Sequence, residues 1–597
     1  MKKIIAAAVL ACFFLTGCGQ AGAKVAEKPV VEGTDYDVIV VGGEPEGVTA
    51  AVSAARNGMK TLLIEDDEAL GGLMTLGMLN FIDMCHGRDG TLLTQGIFEE
   101  YYNAVGGTAF DVEHAKSVFL SMVQNEPNIE LKLNTSFVAP IVENDAITGV
   151  TVREGGEEKT YRAARVIDAT VDADVAAAAG VPYTFAGEDI GEKDRQMGVT
   201  LVFTVNNVDW DKVVDYLEND GNAGTGADSK SAWGYTEEGY SYVPHDPMLK
   251  LRGFNAARQD NGDVLINAMI IFGVDVLDPE SKAEGIARGK AELEYILPYV
   301  RENFIGFENA QLVGTAEQLY VRESRHIIGE YQLTIDDVLE NRDQWDKIAI
   351  GAYPVDVQPT ATQRYGTVIG SPDRYAIPFR SLVPLKIDNL LVVGRSASYK
   401  SLAAGSARVI PIGMAEGEAA GVATAYSVSN DVTYRAMTTD KKAISAVQKQ
   451  LKKQGAYLED FTIHEDFMDH WAYPGVKVIR SLGLLDGGYD NNYHLEDTMS
   501  KWRYQNMINK AMAKAGLTLD YIEVNDDPTN AEIIATAATV LKSPAADYAG
   551  QLADLQAAGI MDDQLAAYFA DSTKQPQAAE VIMLVANLYN HVASQQQ

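Results

Sequence analysis

Cysteine is almost absent from this chain: three in 597 residues, at Cys12, Cys18 and Cys85. Such wide spacing excludes a Cys-x-x-Cys redox pair and the four-cysteine sets that hold zinc or iron–sulfur clusters. Histidine is nearly as scarce, with 8, and no metal site is expected because no ligand cluster stands out. No serine–histidine pair suggests a hydrolase. Positive charge is also in deficit, since 49 Lys and Arg against 84 Asp and Glu leave a net charge of −35. A nucleic-acid partner is therefore excluded, there being no basic stripe to neutralise phosphates. A few arginines can still make a local anion pocket. The composition is otherwise that of a globular protein, with 47% apolar and 22% charged residues, enough for two to four domains and a large core.

The first residues read as a targeting segment: Lys2 and Lys3, then an apolar run from Ile4 to Leu15 too short for a comfortable membrane span. The run ends Leu15-Thr-Gly-Cys18, which resembles a bacterial lipoprotein box. That resemblance implies a signal peptide over 1–18, lipid on Cys18, a flexible linker over 19–35 and an extracytoplasmic protein lipid-anchored to a bacterial membrane. An ordinary cleaved signal with an incidental cysteine is the alternative. With Cys12 removed and Cys18 lipidated, Cys85 stays alone and no iron–sulfur cluster is expected.

The stretch Asp37-Val-Ile-Val-Val-Gly-Gly-Glu-Pro-Glu-Gly-Val-Thr-Ala-Ala organises the rest. Val38 to Val41 read as a buried parallel strand, Gly42 and Gly43 as a turn, and Val48 to Arg56 as a helix. A strand turning on glycines into a helix aims free N–H groups and a positive dipole end at one point, which suits a pyrophosphate. A second strand, Thr61 to Ile64, ends on Glu65, placed to hold a ribose hydroxyl. Gly42 and Gly47 fit the Gly-x-Gly-x-x-Gly pattern, but Glu44 stands where its middle glycine belongs. A glutamate there crowds or repels a pyrophosphate unless it points away.

Asp37 to Thr75, ending Glu65-Asp-Asp-Glu-Ala-Leu-Gly-Gly-Leu-Met-Thr, resembles the N-terminus of FAD-dependent oxidoreductases, in the broad family that includes the flavin-binding part of heterodisulfide reductase. The resemblance implies FAD held around Gly42, Gly43, Glu44, Gly47 and Glu65, with Gly71 and Gly72 beside the flavin. The segment Ala164-Arg-Val-Ile-Asp-Ala-Thr170 resembles the strand that returns the chain to the cofactor, and Asp168, Ala169 and Thr170 fit it. Val171 and Ala173 replace the glycines that follow in the family. Asn389-Leu-Leu-Val-Val-Gly-Arg-Ser-Ala-Ser398 resembles a second FAD signature. By position it puts Gly394 and Arg395 near the phosphates or ribityl chain, and Gly413, Met414 and Ala415 near the pyrimidine end. Close helix packing accounts better for Gly417 and Gly421.

Between these signatures the pattern changes. Val199 to Val205 and Asp263 to Phe272 read as strands, and Ser281 to Phe304 as one helix. Ile129 to Asn134 and Ile147 to Val152 alternate as an antiparallel meander. In Met84-Cys-His-Gly-Arg-Asp89 a nucleophile–base pair competes with the plainer reading, a loop with a free thiol. Alternation in Tyr320-Val-Arg-Glu-Ser-Arg-His-Ile-Ile-Gly-Glu-Tyr331 puts Arg322, Ser324 and His326 on one face of a strand, with Glu323 and Arg325 on the other. So much charge cannot be buried without anionic partners. Either Arg322 and Arg325 clamp an anionic substrate with His326 as proton donor, or they pair with Glu323, Glu330 or Asp336. The family hallmark Arg-Glu-Ser-Arg-Arg-Ile-x-Gly favours the first, with His326 replacing an arginine. Gln358 stands where the family usually has a histidine.

The expected architecture is α/β: a Rossmann-like FAD domain with a parallel sheet (36–186 and 385–428), an inserted mixed α+β cap (187–384) and a helical C-terminal region (429–597). That last region resembles S-layer homology repeats, first over Phe467 to Arg503 and more faintly over Leu552 to Glu580, which implies a cell-wall polymer as partner, with a plain helical appendage as the safer reading. The wall-contacting motif is replaced by Ser500-Lys501-Trp502-Arg503. The expected function is redox chemistry at flavin N5 on a small, anionic substrate in the cell envelope, with Arg322, Arg325, His326 and Arg395 at the substrate. An envelope electron carrier would serve it, since no second dinucleotide fingerprint is visible. The rival reading is an envelope scaffold whose FAD fold is catalytically idle.

Overall fold

The computed structural model describes residues 34–193, 195–517 and 520–596. The signal peptide, Cys18 and nearly all of the expected linker lie outside the described residues. The central sheet begins with β1 (Tyr36–Val41), buried along its whole length, and passes through the glycine turn into α1 (Pro45–Arg56). Pro45 opens the helix, where its fixed φ and missing N–H cost nothing. β2 (Thr61–Ile64) lies parallel to β1, and β3 (Ile129–Lys132) lies parallel to β2. The Ile129 segment is thus an edge of the parallel sheet and not half of a meander. The antiparallel meander is made instead by β4 (Thr135–Glu143), β5 (Ala146–Glu154) and β6 (Glu157–Asp168). Alternation marked both segments as strands but carries no information about which partner each one finds.

β6 joins the two parts. Its first half pairs with β5, and its second half runs parallel to β1, from Ala163 beside Tyr36 to Asp168 beside Val41. A late strand, Leu390–Val392, adds to the other side of β6 in parallel. The long helix Ile410–Asn430 then packs on α1. Cβ atoms at Gly417 and Gly421 would lie 2.2 Å from the carbonyl oxygen of Glu46 and 2.5 Å from the amide nitrogen of Ala54. The two glycines let the helix backbones touch, as their spacing predicts.

The cap is a separate seven-stranded sheet, including Phe203–Asn206, Leu249–Arg258, Val264–Ile271 and Gln311–Thr315, backed by the helix Pro279–Asn303. The Val199–Val205 segment is broken into two short strands, Val199–Thr200 and Phe203–Asn206. The cap core runs from Val199 to Val321, joined by Val112. Apolar residues between Leu333 and Val383, and between Tyr434 and Leu458, pack with the FAD sheet instead. In packing terms the cap ends well before residue 384, and the C-terminal unit begins after 429, its own core spanning Ala472 to Val592. That unit is helical throughout its regular structure. Among the described residues no helix is long and apolar enough to cross a membrane.

Candidate cofactor and substrate cleft

At the C-terminal ends of β1 and β6 the chain opens a cleft of three adjoining cavities. The outer one, about 570 Å³, is lined by Gly42, Glu44, Glu65, Thr170 and Arg395 among others. A narrow middle, about 60 Å³, lies between Glu44, Glu46, Thr170, Gly394 and Arg395 on one side and Phe81, Asp83, Tyr320 and Arg322 on the other. The innermost chamber, about 450 Å³, is walled by Arg252, Asn255, Asn267, Arg322, Asp356 and Arg408, with further polar side chains.

Glycines sit where the backbone has no room. Gly42 has φ +103°, and a Cβ there would lie 2.5 Å from the Ala169 carbonyl oxygen. A Cβ at Gly47 would lie 1.8 Å from the Gly42 oxygen. Ala173, in a family glycine position, still takes the left-handed conformation at φ +53°. The backbone path survives the substitution, at a steric cost.

The acidic residues of the turn have defined places. The Gly43 amide donates to the Glu65 carboxylate, which also accepts from the Asp67 amide at 2.9 Å. Glu44 turns away from the turn axis toward the Gly71–Gly72 corner, where it accepts from the Leu73 amide at 3.3 Å. A Cβ on Gly72 would collide with that carboxylate, so the glycine pair is what makes room for Glu44. Glu46 fills the space that the absent side chains of Gly394 and Gly413 leave. Glu416 accepts from the Gly394 amide at 2.9 Å and from the Tyr399 hydroxyl. Burial is the first cause that raises all of these carboxyls: Glu44 and Glu416 to about 8, Glu46 and Glu65 to about 7. Asp168, also pushed up to about 7 by burial, accepts from Thr170 and the Ala176 amide. It braces the turn without lining the cleft.

The sequence-predicted residues do not all converge. Gly42, Glu44, Glu65, Ala169, Thr170, Gly394, Arg395 and Arg322 line the cleft. Gly43, Gly47, Gly71 and Gly72 do not line it. Gly413 faces Glu46 and Met414 is fully buried, its carbonyl accepting from Thr49 at 2.9 Å. The helix start that reaches the cleft is Val409 and Ile410, ahead of Gly413, Met414 and Ala415.

The Tyr320–Tyr331 stretch is not one strand. Only Arg325–Ile327 forms a strand, antiparallel with Tyr183–Phe185; Tyr320 and Gly329 make single bridges to Thr200 and Pro384, and Val321 to Glu323 cross the cleft without a partner strand. The alternation expected to put Arg322 and His326 side by side therefore fails. Arg322 points into the cleft, with its guanidinium 4.1 Å from the Tyr320 ring centre and donating to the Gly198 carbonyl at 3.0 Å. Arg325 turns to the opposite side, donating to Asp174 at 2.7 Å. His326 is buried 3.2 Å from Glu323. Neither Arg325 nor His326 lines the cleft. Cys85 and His86 are also split, Cys85 fully buried with its thiol pushed up to about 12 by burial, His86 exposed. They form no nucleophile–base pair.

Sequence reasoning missed Arg252 and Arg408. Arg408 donates to the Tyr320 hydroxyl at 3.3 Å and lies 3.4 Å from Asp356. Its signal was present: a single charge within the otherwise uncharged run Leu402 to Ala415. Arg252 sits on a cap strand, and only the closure of the fold brings it near. Burial, then the charges of Arg252 and Arg408 against the opposing Tyr320, lowers Arg322 to about 10.

The residues present fit an FAD. Gly42, Glu65, Thr170 and Arg395 line an open cavity beside the strand–turn–helix, and the half-buried Arg395 has an unpartnered Nε there. Its other nitrogens donate to the Val321 carbonyl and to Asp172, at 2.7 and 2.6 Å. Among the described residues no group of three His, Cys, Asp or Glu side chains could hold a metal ion.

Several known proteins are similar to parts of this chain. A digeranylgeranylglycerophospholipid reductase of Methanocella arvoryzae is 28% identical over 181 residues, 26% of this chain and 45% of that protein. The tRNA uridine 5-carboxymethylaminomethyl modification enzyme MnmG of Nitratiruptor is 31% identical over 153 residues, 23% of this chain and 24% of that one. The chain thus spans less than half the length of these curated relatives. A geranylgeranyl bacteriochlorophyll reductase-like protein of Thermoplasma acidophilum aligns over 70% of this chain and 84% of its own, at 16% identity and TM-score 0.36. The family model described as FAD dependent oxidoreductase matches residues 37–451. With that span and this cleft, the chain belongs to the FAD-dependent oxidoreductases.

Proposed function

We propose that this enzyme oxidises or reduces a small anionic substrate held in the innermost chamber, at the cell envelope. The observation that carries the reading is the arginine group Arg252, Arg322 and Arg408 walling a polar chamber next to the narrow part of the cleft. Glu65 and the outer cavity would hold the adenosine half of the cofactor, and the Gly42–Gly47 turn with Arg395 its pyrophosphate. When bound, FAD supplies the hydride or electron transfer. The chain's own residues do the rest: Arg322 and Arg408 orient the anion, and the Tyr320–Ser324 crossing keeps water from the reacting end. A lipid substrate, such as the name of the Methanocella relative specifies, suits so charged a chamber poorly.

The setting belongs to the same proposal. Lipid on Cys18 would hold the enzyme at a bacterial membrane, an envelope redox protein would exchange electrons with it, and the Trp502 helix would meet cell-wall polymer. The narrower kinship to the flavin-binding part of heterodisulfide reductase rests on the Asp37–Thr75 motifs.

The test is the absorbance spectrum of the chain from Gly19 onward, with FAD added, before and after dithionite, followed by small carboxylates as reoxidants. A flavin that bleaches and is reoxidised by one carboxylate supports the reading. Flavin that binds and reduces but responds to no anion leaves an idle scaffold, and failure to take up FAD sinks the enzyme altogether.

A further inference from the structure

The chamber's charges and orphaned polar atoms describe its ligand more narrowly than "anionic". Three guanidiniums, from Arg252, Arg322 and Arg408, face two carboxyls, Asp83 and Asp356. Among the described residues neither Arg252 nor Arg322 is ion-paired; only Arg408 reaches a carboxylate, Asp356 at 3.4 Å. The excess is one positive charge. A buried cation in excess calls for an anion, and one ligand carboxylate restores balance where two would overshoot it.

The unpartnered atoms add a second requirement. Nε of Arg252 and Nε of Arg408 are buried donors without acceptors, and Oδ1 of Asn267 is a buried acceptor without a donor. Buried polar atoms left unmatched cost free energy that a matching ligand recovers. A carboxylate satisfies the two donors and can accept from the Asn267 amide nitrogen, but it has no hydrogen to give Oδ1. A hydroxyl can donate to it. Asn267 stands directly across from Asn255 on the neighbouring strand, so two amides share that wall. At the mouth stands Tyr489, from the C-terminal unit, 74% exposed and free to cover one face of a ring.

We propose that the chamber takes a hydroxylated monocarboxylate of sugar-acid type, its carboxylate on Arg252, Arg322 and Arg408 and its hydroxyls on Asn255 and Asn267. The proposal rests on the anionic-substrate reading and sharpens it from charge to class.

Titration calorimetry on the FAD-loaded chain tests it, with D-gluconate and D-glucuronate as probes. The controls are hexanoate (a carboxylate without hydroxyls), succinate (two carboxylates) and D-glucose (hydroxyls without a carboxylate). Gluconate or glucuronate should bind about tenfold or more tighter than any control, the worth of one or two matched buried hydrogen bonds. Asn267→Leu should remove that advantage and leave weak hexanoate binding unchanged, while Arg252→Gln should weaken both. Hexanoate or succinate binding as tightly as gluconate overturns the hydroxyl requirement and leaves the anionic reading standing. Glucose binding as tightly as gluconate overturns both, as does a flavin-loaded chain that binds no carboxylate.

Discussion

Arg322 and Arg325 stand three residues apart in one motif and have opposite fates. Arg325 is half-buried against Asp174, its charge answered by a neighbour in the fold. Arg322 is buried against a ring and a carbonyl oxygen, with two more guanidiniums close by. The difference separates an arginine paired within the fold from one that, among the described residues, no carboxylate meets within ion-pair distance. Sequence spacing gave them equal standing, and only the partners distinguish them.

Arg322→Met cuts the contrast most deeply. Losing a charge that a buried anion needs should weaken carboxylate binding by about 30-fold or more, while the unliganded chain becomes no less stable, because an unanswered buried charge is removed. Thermal unfolding beside calorimetry reads both, and a large fall in Tm would show that Arg322 is structural. Arg325→Ala should do the reverse, lowering stability by about 0.5 to 1 kcal/mol for a partly exposed pair and leaving ligand affinity alone. Weakened carboxylate binding in that variant would restore Arg325 to the site.

Arg395 lies between these extremes, ion-paired to Asp172 yet facing the cleft. Arg395→Ala should weaken FAD by about tenfold, the worth of a charge-assisted bond to phosphate, measured by quenching of flavin fluorescence. Unchanged FAD affinity would put it with Arg325.

The carboxyls of the turn extend the comparison to acids. Glu44 and Glu46 titrate at about 8 and about 7 because burial disfavours their charged forms. An anionic pyrophosphate binds best while they are protonated, so FAD affinity should fall as pH rises through that range. Glu44→Gln should flatten the upper part of the curve; an unchanged curve would clear Glu44. Stability shares the sign. Folded values lie above the unfolded glutamate value of about 4.3, so this contribution is complete below that pH and is lost as pH rises through about 7 to 8. Tm of the FAD-free chain should fall over the same interval.

Ala173→Gly is the smallest test. Relieving a left-handed alanine, offset by the looser unfolded chain, should stabilise by about 0.5 kcal/mol with FAD affinity unchanged. A loss of stability would mean that the Ala173 methyl carries more packing than strain.

What was legible in the sequence was local. The strand–turn–helix around Gly42, the acid at Glu65 and the strand before Gly394 are each written within a few residues, and each formed where expected. Glu44, which broke the pattern, proved to be housed by Gly72, a partner far along the chain that no spacing rule pairs with it. The Tyr320 stretch was misread because period-two alternation shows that a strand could form, not that a neighbour exists to pair with it. Arg252 and Arg408 were illegible for a related reason. They lie on different domains, and their meeting depends on how the cap closes over the sheet.

The C-terminal unit is clasped to the Leu333–Val383 stretch, part of which walls the chamber. Asn491 holds both the amide and the carbonyl of Ser371, at 2.7 and 2.8 Å, and the Gly487 amide donates to the Ile369 carbonyl at 2.9 Å. Deeper in, the buried Arg480 reaches Asp336 at 2.6 Å. Tyr489 rides on the loop between these clasps. A load on the C-terminal unit would pass into the rest of the chain through these clasps, which flank the ring that unit places on the chamber wall.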